Sequence, residues 1–190
     1  MDIQRLGDVR LELGECPVWH GGRLWVLDCR QGFLYALDPD GGQVLARHAA
    51  PAPLGSFAFN GEGSDQVVIA LKEEIAALDL RDGRLRTLAR IEASHPHLRL
   101  NDGTALADGS FVVGTMHLYL EPGEAPLGGL YRLDASLQLR KLAPGMGIAN
   151  GPCVSPRDGR LHVADSAARV IYSYALAPDG GLADQRVFAR

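Results

Sequence analysis

The chain has 190 residues, with 19 Lys+Arg against 23 Asp+Glu and a formal net charge of −4. Hydrophobic residues at 46% and charged residues at 22% are ordinary globular usage, which excludes a mainly disordered chain and lacks the basic stripe of a nucleic-acid binder. Glycine is the outlier, 23 of 190 or about 12% against a typical ~7%, and points to many tight turns between short strands.

In chain order, Met1 to Leu13 mixes charge with apolarity and has no signal-peptide core, and no stretch approaches the ~20 apolar residues of a membrane span. Four segments then share one pattern of apolar run, turn and short apolar tail. They begin at Leu34, Ile75, Leu130 and Ile171, a period of roughly 40 residues with one longer interval, in the range of propeller blades. Another apolar run precedes each: Leu24 to Leu27, Val67 to Ala70, Phe111 to Val113 and Leu161 to Ala164. Asp-Gly and Asn-Gly pairs between such runs are hairpin signals, and no segment sustains a 3.6-residue period. The pattern predicts an all-β propeller of four-stranded blades. A sandwich or a solenoid gives no reason for this period. The long interval holds an insertion from His117 to Gly128, which maps to a loop on one face.

About ten residues ahead of the second strand, three copies place a metal-capable oxygen: Glu15, Asn101 and Asn150. The second copy offers only Ser56-Phe57 there. Equivalent positions of successive blades face one axis, so these three side chains converge at a channel mouth. Carboxylate and amide oxygens suit Ca²⁺, Mg²⁺ or Mn²⁺, with Zn²⁺ admitted through the carboxylate. Asp102-Gly103 and Asn150-Gly151 are equally ordinary turn dipeptides, so spacing alone leaves both readings open.

At these residues the chain resembles the regucalcin/gluconolactonase family. Leu13-Gly14-Glu15-Cys16-Pro17-Val18-Trp19 with Leu24-Trp25-Val26-Leu27-Asp28 looks like its opening block. Arg99-Leu100-Asn101-Asp102-Gly103 with Gly114-Thr115-Met116 looks like its second, and Asn150-Gly151, Ser155-Pro156 and Ala164-Asp165-Ser166 like its third. The resemblance implies a six-bladed propeller with one divalent metal (Ca, Zn, Mn or Mg) and hydrolysis of a sugar lactone. It implies Glu15 and Asn150 as metal ligands, and Arg99 and Asn101 as substrate contacts with Asn101 beside the metal. Asp102 reads first as a turn acceptor and only second as a catalytic base. His117, just after Gly-Thr-Met, is a candidate lining residue of the substrate pocket.

Some positions depart from the family pattern. Cys16 stands where the family carries Gly, Cys29 follows Asp28, and Pro152-Cys153 replaces an apolar pair. An acidic substrate contact after Gly-Thr-Met has no clear counterpart, with Tyr119 and Glu121 nearby. Six blades need about 270 residues, so residues 1–190 read as a single incomplete propeller domain with about four blades present. The family's last metal ligand, an Asp that is also its likely base, would fall beyond Arg190. Pro178-Asp179-Gly180 only mimics it, because it fills the turn held by Pro39-Asp40-Gly41 in the first repeat. An open propeller is expected to leave two strand edges free for self-association.

Other signals carry less. Cys16, Cys29 and Cys153 have no CxxC spacing and fit free thiols in a reducing, cytoplasmic setting, with no nucleic-acid or membrane partner. His95-Pro96-His97 reads as a solvated turn, and Trp19 and Trp25 as core. No G-x-S-x-G elbow is present. The expected function is metal-assisted hydrolysis of a small-molecule sugar lactone. A non-catalytic propeller that binds Ca²⁺ or a partner protein is the alternative, and Arg99 beside Asn101 is the feature that separates them.

Overall fold

Turn chemistry sets the strand boundaries in the computed structural model, which describes residues 2–92 and 96–190. Among the described residues sixteen strands form four antiparallel sheets of four consecutive strands each. Blade 1 holds β1 (Gly14–His20), β2 (Arg23–Asp28), β3 (Phe33–Leu37) and β4 (Val44–Ala49). Blade 2 holds β5 (Ser56–Phe59), β6 (Gln66–Ala70), β7 (Glu74–Asp79) and β8 (Leu85–Arg90). Blade 3 holds β9 (Leu98–Ala105), β10 (Phe111–His117), β11 (Gly128–Leu133) and β12 (Leu139–Met146). Blade 4 holds β13 (Ala149–Val154), β14 (Leu161–Asp165), β15 (Val170–Leu176) and β16 (Leu182–Ala189).

The turn into the fourth strand needs a left-handed residue in every blade. Blades 1, 2 and 4 use Gly42 (φ 66), Gly83 (φ 72) and Gly180 (φ 74), whereas blade 3 forces Leu137 to φ 63. The four apolar runs fall in β2, β6, β10 and β14, and the inserted segment joins β10 to β11 as a loop. No helix among the described residues is long and apolar enough to cross a membrane.

Period-2 alternation gives each blade two apolar faces, and stacking buries them pairwise. Trp25, Leu27 and Leu34 of blade 1 meet Phe57, Val67 and Ile69 of blade 2. Ala70 and Ile75 meet Leu100, Phe111 and Val113 of blade 3, and Val112 and Leu130 meet Ala149, Leu161 and Val163 of blade 4. Each fully buried aliphatic side chain contributes about 1.5–3 kcal/mol, so these three interfaces hold the blades in sequence order.

One expectation changes. Trp25 is core, but Trp19 is 63% exposed, because it alternates with Val18, whose side faces the blade 1–blade 2 core. Beside its edge strands β13 and β16, blade 4 has a cavity of about 880 Å³ on its sheet face, lined by residues of all four of its strands, among them Val154, Val163, Ile171 and Phe188.

Candidate functional site

The innermost strands β1, β9 and β13 share a defect that β5 lacks. In β1 the register steps from Glu15↔Leu27 to Val18↔Trp25, so Cys16 and Pro17 together oppose Val26 alone. In β13 it steps from Asn150↔Ala164 to Cys153↔His162, around Gly151 and Pro152. In β9 it steps from Leu100↔Thr115 to Gly103↔Val113, around Asn101 and Asp102. Each is a β-bulge, which bends a strand and re-aims its side chains, and a bulge is also where a strand tolerates proline. Strand β5 pairs with β6 from Ser56↔Ala70 to Phe59↔Val67 without a shift.

Register moves one residue from where spacing put it. Glu15 and Asn150 are true equivalents, the last paired residue before the bulge, but Leu100 holds that position in blade 3. Asn101 sits one step on, at the place of Cys16 and Gly151. Those two are left-handed, with φ 51 and 56, so a non-glycine residue carries that conformation in blade 1.

The bulges of blades 3 and 4 are tied together. The Asn101 amide Nδ2 donates to the Ala149 carbonyl at 2.9 Å and to Asn150 Oδ1 at 2.8 Å. The Ala149 carbonyl can only accept, so it fixes Asn101 Nδ2 as the donor and Asn150 Oδ1 as the end that faces it, and Asn150 Nδ2 then donates to Ser166 Oγ at 2.9 Å. Both oxygens of Asp102 accept backbone N–H groups, from Gly103 at 2.9 Å and Gly151 at 2.7 Å. Burial pushes the Asp102 carboxyl above its ordinary range despite those bonds. Glu15 is raised too, first by burial and then by the charge of Asp102, with Arg99 pulling the other way. Glu15, Arg99 and Asp102 therefore share one electrostatic neighbourhood. Arg99 is 8% exposed, its Nη1 donating to the Leu100 carbonyl at 2.8 Å.

Blade 2 buttresses the Asn101 bulge, since buried Ser56 donates from Oγ to the Asn101 carbonyl at 2.8 Å. Gly55 makes that approach available, because a Cβ there would stand 2.7 Å from the same carbonyl oxygen. His117 ends β10, buried, with its N–H donating to the Gly147 carbonyl and its Nε2 3.9 Å from Glu124 Oε1 on the inserted loop. His97 meets Tyr119 of that loop edge-on, with ring centroids 4.9 Å apart, and His95 lies outside the described residues.

Two buried carboxylates, Asp28 and Asp165, brace the approach to the inner strands. Asp28, at the end of β2, accepts N–H groups from Glu12 and Leu13 ahead of β1 and from Arg30 and Gln31 in the following turn, at 2.8–3.4 Å. Asp165, at the end of β14, does the same for Gly147, Ile148, Ala167 and Ala168, at 3.0–3.3 Å. Each clips the segment entering an inner strand to the turn beside it, and so sets where Glu15 and Asn150 stand. Blade 2 has Leu71 after Ala70 where blade 1 has Asp28 after Leu27. The signal available in the sequence was the repeat itself, Leu27-Asp28-Cys29 against Ala164-Asp165-Ser166.

Among the described residues no three His, Cys, Asp or Glu side chains come together as a metal site. A cation would rest on the Glu15 carboxylate with amide oxygens, an all-oxygen set that fits a hard ion.

Comparison with known proteins places the geometry in context. Residues 13–190 match the family model described as SMP-30/Gluconolactonase/LRE-like region. The chain is 35% identical over 188 residues to an L-arabinolactonase of Azospirillum brasilense, covering 97% of this chain and 61% of that one. It is 30% identical over 188 residues to a pentonolactonase of Haloferax volcanii, covering 98% and 61%. A solved calcium-binding protein, regucalcin, from Agrobacterium tumefaciens superposes with a TM-score of 0.79 at 26% identity, over 95% of this chain and 60% of that one. The chain thus spans about three fifths of the length of each of these proteins.

Proposed function

We propose, for a chain that belongs to the SMP-30/gluconolactonase/LRE-like family, that it carries most of the site of a sugar-lactone hydrolase and that residues 1–190 act as one propeller unit. The observation that carries this reading is the convergence of Asn101, Asp102 and Asn150 on two adjoining bulges, with Glu15 and Arg99 in the same electrostatic neighbourhood. The lactonases among its relatives favour a pentono-lactone as substrate.

Glu15 and Asn150 would hold one divalent cation, with Asn101 beside it. When bound, such an ion supplies Lewis-acid polarisation of a carbonyl and makes its bound water more acidic. The chain's own residues do the rest. Asn101, its own amide set by the Ala149 carbonyl, aligns the Asn150 oxygen, and Ser166 receives the other end of the Asn150 amide. Arg99, held to the Leu100 carbonyl through Nη1, keeps further N–H donors for the ring hydroxyls and for negative charge developing on the carbonyl oxygen. Asp102 has both oxygens engaged by backbone N–H groups and acts on the position of β13 rather than as a proton acceptor. A pure binding propeller has no need of a buried arginine at this place.

Two measurements test the reading: calorimetric titration with Ca²⁺, Mn²⁺ and Zn²⁺, and acid release from an aldonolactone panel followed by pH-stat. Glu15→Gln and Asn150→Ala should each remove metal binding, and Arg99→Ala should leave metal binding intact while weakening lactone capture. Metal affinity that survives both ligand variants overturns the site, and metal binding without lactone capture moves the reading to the calcium-binding scaffold.

A further inference from the structure

We infer that Ser166 is a specificity-determining residue of the site, a hydrogen-bond donor to one ring hydroxyl of the sugar lactone. This rests on the lactone reading and names one contact by which the ring is selected. Its basis is the direction of the hydrogen-bond chain that crosses the seam between blades 3 and 4. The Ala149 carbonyl, able only to accept, sets that direction. Asn101 Nδ2 donates to it at 2.9 Å and to Asn150 Oδ1 at 2.8 Å, and Asn150 Nδ2 donates onward to Ser166 Oγ at 2.9 Å.

An amide NH₂ has no lone pair to offer, so Ser166 must accept there. A serine hydroxyl carries one proton as well as its acceptor sites, and that proton is not spent on Asn150. Each bond in such a chain polarises the next, which makes the final O–H a better donor. The two serines that meet the asparagines therefore run opposite ways. Ser56 gives its proton to the Asn101 carbonyl, whereas Ser166 takes a proton from Asn150 and keeps its own to give.

Ser166 is also fixed and open. Its N–H donates to the Ile148 carbonyl at 2.9 Å, and it directly follows Asp165, which four N–H groups hold in place. Ser56 is buried, but Ser166 is exposed, so an acceptor from outside the protein can reach it. Donors for a ligand then come from two blades, Arg99 from β9 of blade 3 and Ser166 from the turn after β14 of blade 4. A ring that bears several hydroxyls offers an acceptor to each.

The test uses the whole chain with Mn²⁺ and a pentono-1,4-lactam, which keeps the ring carbonyl and hydroxyls but resists hydrolysis. Calorimetry compares this parent lactam with its 2-deoxy and 3-deoxy forms on wild type, Ser166→Ala, Ser166→Thr and Arg99→Ala, each variant with its melting temperature. Ser166→Ala should weaken the parent lactam roughly two- to tenfold, and Ser166→Thr, which keeps the hydroxyl, should restore it. Against one of the deoxy lactams, wild type and Ser166→Ala should bind alike, because the acceptor is gone from the ligand. Mn²⁺ affinity is a second readout and should hold in Ser166→Ala, since water can take the Asn150 N–H at an exposed position. With Arg99→Ala impaired, undiminished parent binding in Ser166→Ala, an equal loss for all three lactams, or no rescue by Ser166→Thr overturns the donor role alone. A parallel loss of Mn²⁺ affinity overturns it too, leaving Ser166 to act only through Asn150. Equal parent affinity of wild type and Arg99→Ala overturns the lactone reading and this inference with it.

Discussion

Strand β5 and its counterparts β1, β9 and β13 occupy the same place in their blades, yet only the last three carry bulges and candidate ligands. One extra residue per strand is the difference. A regular inner strand alternates strictly and presents one row to the channel, while a bulge turns neighbouring residues toward it and frees backbone groups that need partners. Asp102 and Asn101 supply those partners across the blade 3–blade 4 seam. Blade 2, without a bulge or a buried Asp clip, contributes a hydroxyl beneath Asn101 instead. Chemistry and scaffolding are thus divided among copies of one repeat by local backbone irregularity.

The contrast can be broken most severely at the clips. Asp165→Ala strands four N–H donors and should cost about 4 kcal/mol in urea unfolding, with Asp28→Ala close behind, whereas Leu71→Ala in blade 2 should show only a cavity cost of about 2–3 kcal/mol. Asn101→Ala removes both ties to β13 and should cost about 2 kcal/mol by the same measurement. Ser56→Ala removes one bond from the regular strand and should cost about 1 kcal/mol; an equal loss for these two would erase the distinction between site and buttress. At the left-handed bulge step the signs should oppose. Gly151→Ala, with open space around it, should lower stability by about 1 kcal/mol, and Cys16→Gly should raise the melting temperature by relieving the φ of 51.

The smallest expected effect is in pH dependence. Glu15 and Asp102 are raised in the folded chain, so the native state keeps protons that the unfolded chain has released. Their contribution therefore falls as pH rises from the ordinary carboxylate range through the raised values. Asp28 runs the opposite way: its four N–H bonds outweigh burial and lower it, so its stabilisation is present above the ordinary Asp value and is lost as pH falls through the lowered one. Urea midpoints measured from about pH 3 to 6 should flatten at the upper end in Glu15→Gln and at the lower end in Asp28→Asn.

Much of this was legible in the sequence, and what was not has physical causes. The second and third strands of each blade are apolar on both faces, so Leu24 to Leu27 and its three counterparts announce themselves and their period gives the propeller. The inner strands were readable only through family likeness, because a bulge breaks the alternation that marks a strand. That break also misplaced Asn101 by one step, since counting residues assumes a regular ladder. Trp19 was misjudged because hydrophobicity does not say which side of a strand a residue takes. Asp28, Asp165 and Ser166 stood in the motifs, but their partners are backbone N–H groups and side chains from other segments, which no local pattern encodes.

The paired clips also carry a consequence for how the molecule breathes. Glu12, Leu13, Gly147 and Ile148 lie outside any strand, and loops of that kind ordinarily lose their amide protons to solvent quickly. Here those protons point at buried carboxylates, so deuterium enters only when a blade's inner strand and its neighbouring turn part together. In an exchange experiment these loop amides would keep the clock of their whole blade, making the segments that look loosest among the last to be labelled.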